Sequence, residues 1–96
     1  MIDEDYVLTL HPEPAKQGVW IEKAKYDMLR KSILDNLHMY GPLTFTELGS
    51  LVEDQLKYKL DGSIMGYYTA VKLDVEARGE IHRVPDFDSQ LLKLSD

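Results

Sequence analysis

Ninety-six residues without a cysteine can build one modest hydrophobic core, and they exclude disulfide staples, thiolate metal sites and cysteine nucleophiles. A formal net charge of −6 argues against broad phosphate neutralisation, because nonspecific nucleic-acid affinity comes from Lys and Arg releasing counterions. No apolar run approaches the roughly 18 residues of a membrane span, and Met1-Ile2-Asp3-Glu4-Asp5 is acidic where a signal peptide would be basic, so a cytoplasmic protein with no membrane contact is expected.

In chain order, Tyr6 to Leu10 is β-prone and is cut off by His11-Pro12-Glu13-Pro14, whose prolines favour an extended linker. Residues 1–20 therefore read as an arm and linker, with an edge of a later sheet as the arm's only obvious partner. From Glu22 the pattern turns helical, Tyr26, Leu29, Ile33, Leu37 and Tyr40 forming one stripe with Met28 and Leu34 beside it. Gly41 supplies a positive-φ stop and Pro42 cannot continue the ladder. Leu43-Thr44 suits a very short strand. Thr44 and Glu47 stand in capping-box spacing, and Phe45, Leu48, Leu51, Val52 and Leu56 follow at helical intervals to about residue 58. Ser63 is a good N-cap for a third helix over residues 64–78, with Tyr67 or Tyr68, Val71 and Val75 facing inward and Gly79 closing it. Glu80-Ile81-His82-Arg83-Val84 and Leu92-Lys93-Leu94 alternate with period two around a tip at Pro85 to Ser89.

Three helices followed by a hairpin spell an α+β winged helix-turn-helix: residues 21–96 form the domain, with a C-terminal β-hairpin wing and an N-terminal extended arm. The segment Leu73-Asp74-Val75-Glu76-Ala77-Arg78-Gly79-Glu80-Ile81 resembles the end of helix 3 and the first wing strand of many winged-helix regulators. A closer likeness rests on His11-Pro12, Lys16, Gly18, Ile21, Lys23, Lys25-Tyr26-Asp27, Gly41-Pro42-Leu43-Thr44-Phe45-Thr46-Glu47-Leu48, Gly62-Ser63 and Val71-Lys72-Leu73-Asp74. Through these residues the chain resembles, over nearly its whole length, a small bacterial family of uncharacterised winged-helix proteins. The resemblance implies the fold and carries no established activity. Tyr67 stands where tryptophan would be expected.

Charge is distributed against groove reading. Residues 16–31 carry Lys16, Lys23, Lys25, Arg30 and Lys31 against Glu22 and Asp27, whereas residues 43–80 hold more carboxylates than cations. On the third helix Met65, Thr69, Lys72 and Glu76 are spaced to share an exposed face, so a DNA reader would use Met65, Thr69 and Lys72, with Arg78 at the helix end and Arg83 on the wing. Glu76 and Asp74 oppose those cations, and Asp86 and Asp88 would repel a phosphate backbone at the wing tip. His11, His38 and His82 lack ligand spacing, Lys16 to Gly18 reads as an ordered turn, and no phosphate loop, nucleophile elbow or carboxylate pair appears. No enzyme, metal or cofactor is expected.

Aromatic and aliphatic residues near the start of the chain suggest a different surface. Tyr6, Val7, Leu8, Leu10 and Trp20, together with Phe87 on the wing, are the candidate interface. The expectation is a non-enzymatic winged-helix module acting through protein contacts or self-association as a homodimer. The alternative is a DNA-binding transcriptional regulator reading a groove of double-stranded DNA with its third helix.

Overall fold

Period-two and period-3.6 segments alternate along the chain as the caps and breakers dictate, and the computed structural model describes residues 5–85 and 90–95. The elements are β1 (Tyr6–Leu8), β2 (Trp20–Glu22), α1 (Lys23–Tyr40), β3 (Leu43–Thr44), α2 (Phe45–Leu56), α3 (Ile64–Ala77), β4 (Ile81–Arg83) and β5 (Leu91–Leu94). The result is a small α+β protein with three helices and two small antiparallel sheets, β1-β2 and β3-β5-β4. No helix among the described residues is long and apolar enough to cross a membrane.

Both N-caps form as the spacing predicts. Thr44 Oγ1 accepts from Glu47 N at 3.1 Å while Glu47 Oε1 accepts from Thr44 N at 2.9 Å, closing the capping box. Ser63 Oγ accepts from Gly66 N. Tyr26, Leu29, Ile33 and Leu37 of α1 meet Leu48, Val52 and Leu56 of α2 and Ile64, Tyr68, Val71 and Val75 of α3, and Ile21, Ile81 and Leu92 close the core from the sheets. Tyr40, expected at the end of the α1 stripe, is exposed. It is the last residue of the helix.

The arm does not seek the wing. Tyr6, Val7 and Leu8 pair with Glu22, Ile21 and Trp20, so the residues expected to lead into α1 are a strand of their own. The alternation that signals it is short: Ile21 is buried while Trp20 and Glu22 on either side are exposed. Beyond the ladder, Thr9 N donates to Val19 O, and Val19 N donates to Thr9 Oγ1. Such closeness demands glycine at position 18, where an added Cβ would lie 1.7 Å from the Thr9 carbonyl oxygen. At the other end of the chain Leu43 and Thr44 pair with Leu92 and Leu91, and Ile81 to Arg83 pair with Leu94 to Leu92. Phe87 and the acidic tip residues Asp86 and Asp88 lie outside the described residues.

Candidate functional site

Helical spacing decides which side chains α3 can offer. Tyr68, Val71, Lys72 and Val75 are the i, i+3, i+4 and i+7 positions of one stripe, and all four are buried. Lys72, expected on the exposed face, is 1% exposed. Its stem runs through the core, and its ammonium donates to Glu76 Oε1 at 2.8 Å and lies 5.8 Å from the centre of the Phe45 ring. Met65 and Thr69 do face solvent, Thr69 Oγ1 donating back to the Met65 carbonyl. The expected groove-reading set is thus divided: two uncharged side chains outside and the cation inside.

Arg78 and Arg83 are half-exposed but engaged. Arg78 Nε donates to both carboxylate oxygens of Asp74 at 3.0 Å, a bond that holds its guanidinium pKa above the ordinary value. Arg83 Nε donates to Glu76 Oε2 at 3.3 Å, so Glu76 lies between Lys72 and Arg83. Arg30 of α1 forms an ion pair with Glu80 just before β4, and the carboxylate likewise raises its pKa. A phosphate approaching these cations would meet carboxylates already bound to them.

Asp74 is the buried hub that the sequence hid. It is 0% exposed and accepts from Leu10 N at 2.8 Å, from the Tyr26 hydroxyl and from Arg78. One carboxylate therefore joins the N-terminal hairpin, α1 and α3. Burial, followed by the hydrogen bond to Asp74, pushes the Tyr26 hydroxyl up to about 12. Sequence reasoning treated Asp74 only as a countercharge to Arg78. Its place three after Val71 was the available signal that it lies on the buried side of the helix.

The candidate interface residues gather on the hairpin. Tyr6, Leu8, Leu10 and Trp20 are exposed, with Trp20 at 65%. Val7 is not part of that face: period two turns it inward with Ile21, and it packs on the core. Thr9 bonds across to Val19, so by alternation the backbone groups of Val7 also face β2, and those of Tyr6 and Leu8 point away from it. Leu10 N points the same way as those of Tyr6 and Leu8, and there Asp74 receives it.

A groove of about 460 Å³ between α1 and α2 was not anticipated. Met28, Met39 and Leu56 line it beside a polar cluster in which Ser32 Oγ and Asn36 Nδ2 donate to Gln55 Oε1 and Gln55 Nε2 donates to Asn36 Oδ1. Ser32 and Asn36 stand four apart within the buried stripe of α1, a polar interruption visible in the sequence. The histidines stay apart: His11 Nδ1 accepts from Glu13 N, His38 lies in the last turn of α1 and His82 faces Ser95. Among the described residues no group of three His, Asp or Glu side chains could hold a metal ion. Lys16 is bound to Glu13 at 3.2 Å within its turn.

Residues 6–91 match the model of a family of unknown function (DUF6958), which agrees with the resemblance to an uncharacterised family over nearly the whole chain. No curated protein matches the chain.

Proposed function

The chain belongs to this family of unknown function, and from that premise we propose that it is a non-enzymatic winged-helix module that works through protein contacts and not by reading a DNA groove. The order of three helices, the two-residue strand between the first two helices and the closing hairpin support the winged-helix assignment. The observation that carries the functional reading is a contrast in surface chemistry. Lys72, Arg78 and Arg83 are each bound to a carboxylate of the same chain, whereas the N-terminal hairpin exposes Tyr6, Leu8, Leu10 and Trp20 with no charge between Tyr6 and Leu10. Freeing Lys72 or Arg78 for a phosphate would take a cation from Glu76 or Asp74 in or near the core, at a cost that counterion release from so few contacts would not offset.

Duplex DNA titrated into the full chain at physiological salt tests this. The expected result is no binding tighter than the nonspecific range of about 10⁻⁴–10⁻⁶ M. Nanomolar affinity that falls steeply with salt would overturn the proposal in favour of a DNA-binding regulator reading the groove with α3.

A further inference from the structure

The proposed use of the hairpin leaves its partner open, and the free edge of β1 specifies one. We propose that β1 pairs antiparallel with β1 of a second copy of this chain about a two-fold axis at Val7, joining the two hairpins into a four-stranded sheet in the order β2-β1-β1-β2. This rests on the protein-contact reading above.

The edge is complementary to itself. Among the described residues β1 is bonded to β2 alone, and the backbone groups that point away from β2 belong to Tyr6 and Leu8. A two-fold axis at Val7 sets Tyr6 of one copy opposite Leu8 of the other, and each such pair exchanges both of its backbone bonds. No outward amide or carbonyl of β1 is then left over. Because Tyr6, Leu8 and Trp20 share one face, the new sheet carries a continuous row across all four strands: Trp20, Leu8, the second copy's Tyr6 and then its Glu22. Apolar cross-strand pairs of this kind stabilise an antiparallel ladder.

The composition of the strand favours a second copy as well. Two molecules of net charge −6 repel as wholes, yet Tyr6 to Leu8 carries no charge, so the paired strand residues set no like charges opposite each other. Natural edge strands are usually guarded by Lys or Pro, and β1 has neither. Asp74 closes the edge at Leu10, limiting it to the short stretch that a two-fold partner fills. Tyr6 and Leu8, 44% and 46% exposed, meet across the pairing, and Trp20 stands beside Leu8 on the same face.

Sedimentation of the full chain over a wide concentration range is the test, with three variants. The wild type should pass from monomer to dimer as concentration rises, Tyr6 and Leu8 amide exchange should slow over the same range, and the emission of the single tryptophan should shift to the blue. Leu8→Lys adds an edge guard and lowers the net negative charge, so general repulsion falls while pairing is blocked. It and Trp20→Ser should each raise the dissociation constant about tenfold or more, both at solvent-facing positions that leave the monomer's helical circular dichroism intact. Tyr58→Ser, at a site 91% exposed after α2, should change nothing. A wild type that stays monomeric at high micromolar concentration, a Leu8→Lys chain that dimerises as the wild type does, or an equal loss in Tyr58→Ser would overturn the inference. None of these outcomes touches the protein-contact reading, which the DNA titration decides separately.

Discussion

The two sheets of this protein meet opposite demands. β3-β5-β4 closes the core: Ile81 and Leu92 are buried, and its outer strands end in guarded positions, β3 after two residues and β4 with His82 and Arg83, whose side chains bond to Ser95 and Glu76. β1-β2 puts Ile21 and Val7 inward but leaves an apolar outer face and an unguarded edge. Both are joined to the body by apolar contact, and the second also by one buried carboxylate. A sheet whose edge is guarded ends the fold; a sheet whose edge is bare can continue into another molecule.

That contrast is broken most directly at Asp74. Asp74→Ala strands Leu10 N and the Tyr26 hydroxyl without their acceptor and returns Arg78 to solvent. The expected loss is about 3 kcal/mol, in the range for removing one partner from a buried charged network, and denaturant titration reads it. Amide exchange should accelerate in residues 6–10 and 19–22 more than in β4 and β5. A loss below about 1 kcal/mol would mean that the hairpin is held by its apolar contacts and not by Asp74.

The helices and the pairing of β4 with β5 were legible because each is announced by residues whose role is local. Thr44 with Glu47, Ser63, Gly41 and Gly79 act within a turn of their own position, and the structure places them as expected. What escaped is whatever depends on a partner distant in sequence. β2 is too short for its alternation to outweigh the helical pattern that follows it. Lys72 looked exposed because lysine usually is, yet its position repeats the stripe of Tyr68, Val71 and Val75. Asp74 receives a bond from Leu10, 64 residues away, and no local signal could name that donor. The hairpin face of Tyr6, Leu8, Leu10 and Trp20 was legible as residues; the orientation of Val7 and the free edge were not, because both follow from the pairing register.

Tyr26 sharpens the comparison at lower cost. Tyr26→Phe removes one donor from Asp74 but leaves Leu10 N and Arg78, so the expected loss is about 1–2 kcal/mol. Its signature is in alkali. The unfolded chain releases this proton near its ordinary value of 10.0, while the native hydroxyl holds it to about 12. Above the first value the unfolded state binds fewer protons than the native one, so this contribution to stability is complete below pH 10 and is lost as pH rises toward 12. Tyr68, whose hydroxyl is raised by burial and donates to the Phe45 carbonyl, adds to the same slope. Denaturation midpoints across that interval should fall less steeply in Tyr26→Phe than in the wild type. Equal slopes would show that the hydroxyl is not held by Asp74 in solution.

The smallest effect is expected on the guarded sheet. Arg83 is half-exposed and meets Glu76 at 3.3 Å, and exposed ion pairs contribute little, so Arg83→Ala should cost under about 0.5 kcal/mol. Glu76 keeps Lys72 as a partner at 2.8 Å, so no buried charge is orphaned. The same variant bears on the chemistry of the C-terminal sheet. If Arg83 neutralised a phosphate, its removal would lower the salt slope of DNA binding by about one unit. Because Glu76 already occupies it, the expected change is none. A salt slope reduced by one, with folding stability intact, would mean that the ion pair opens to receive DNA and that the guarded sheet also carries a binding surface.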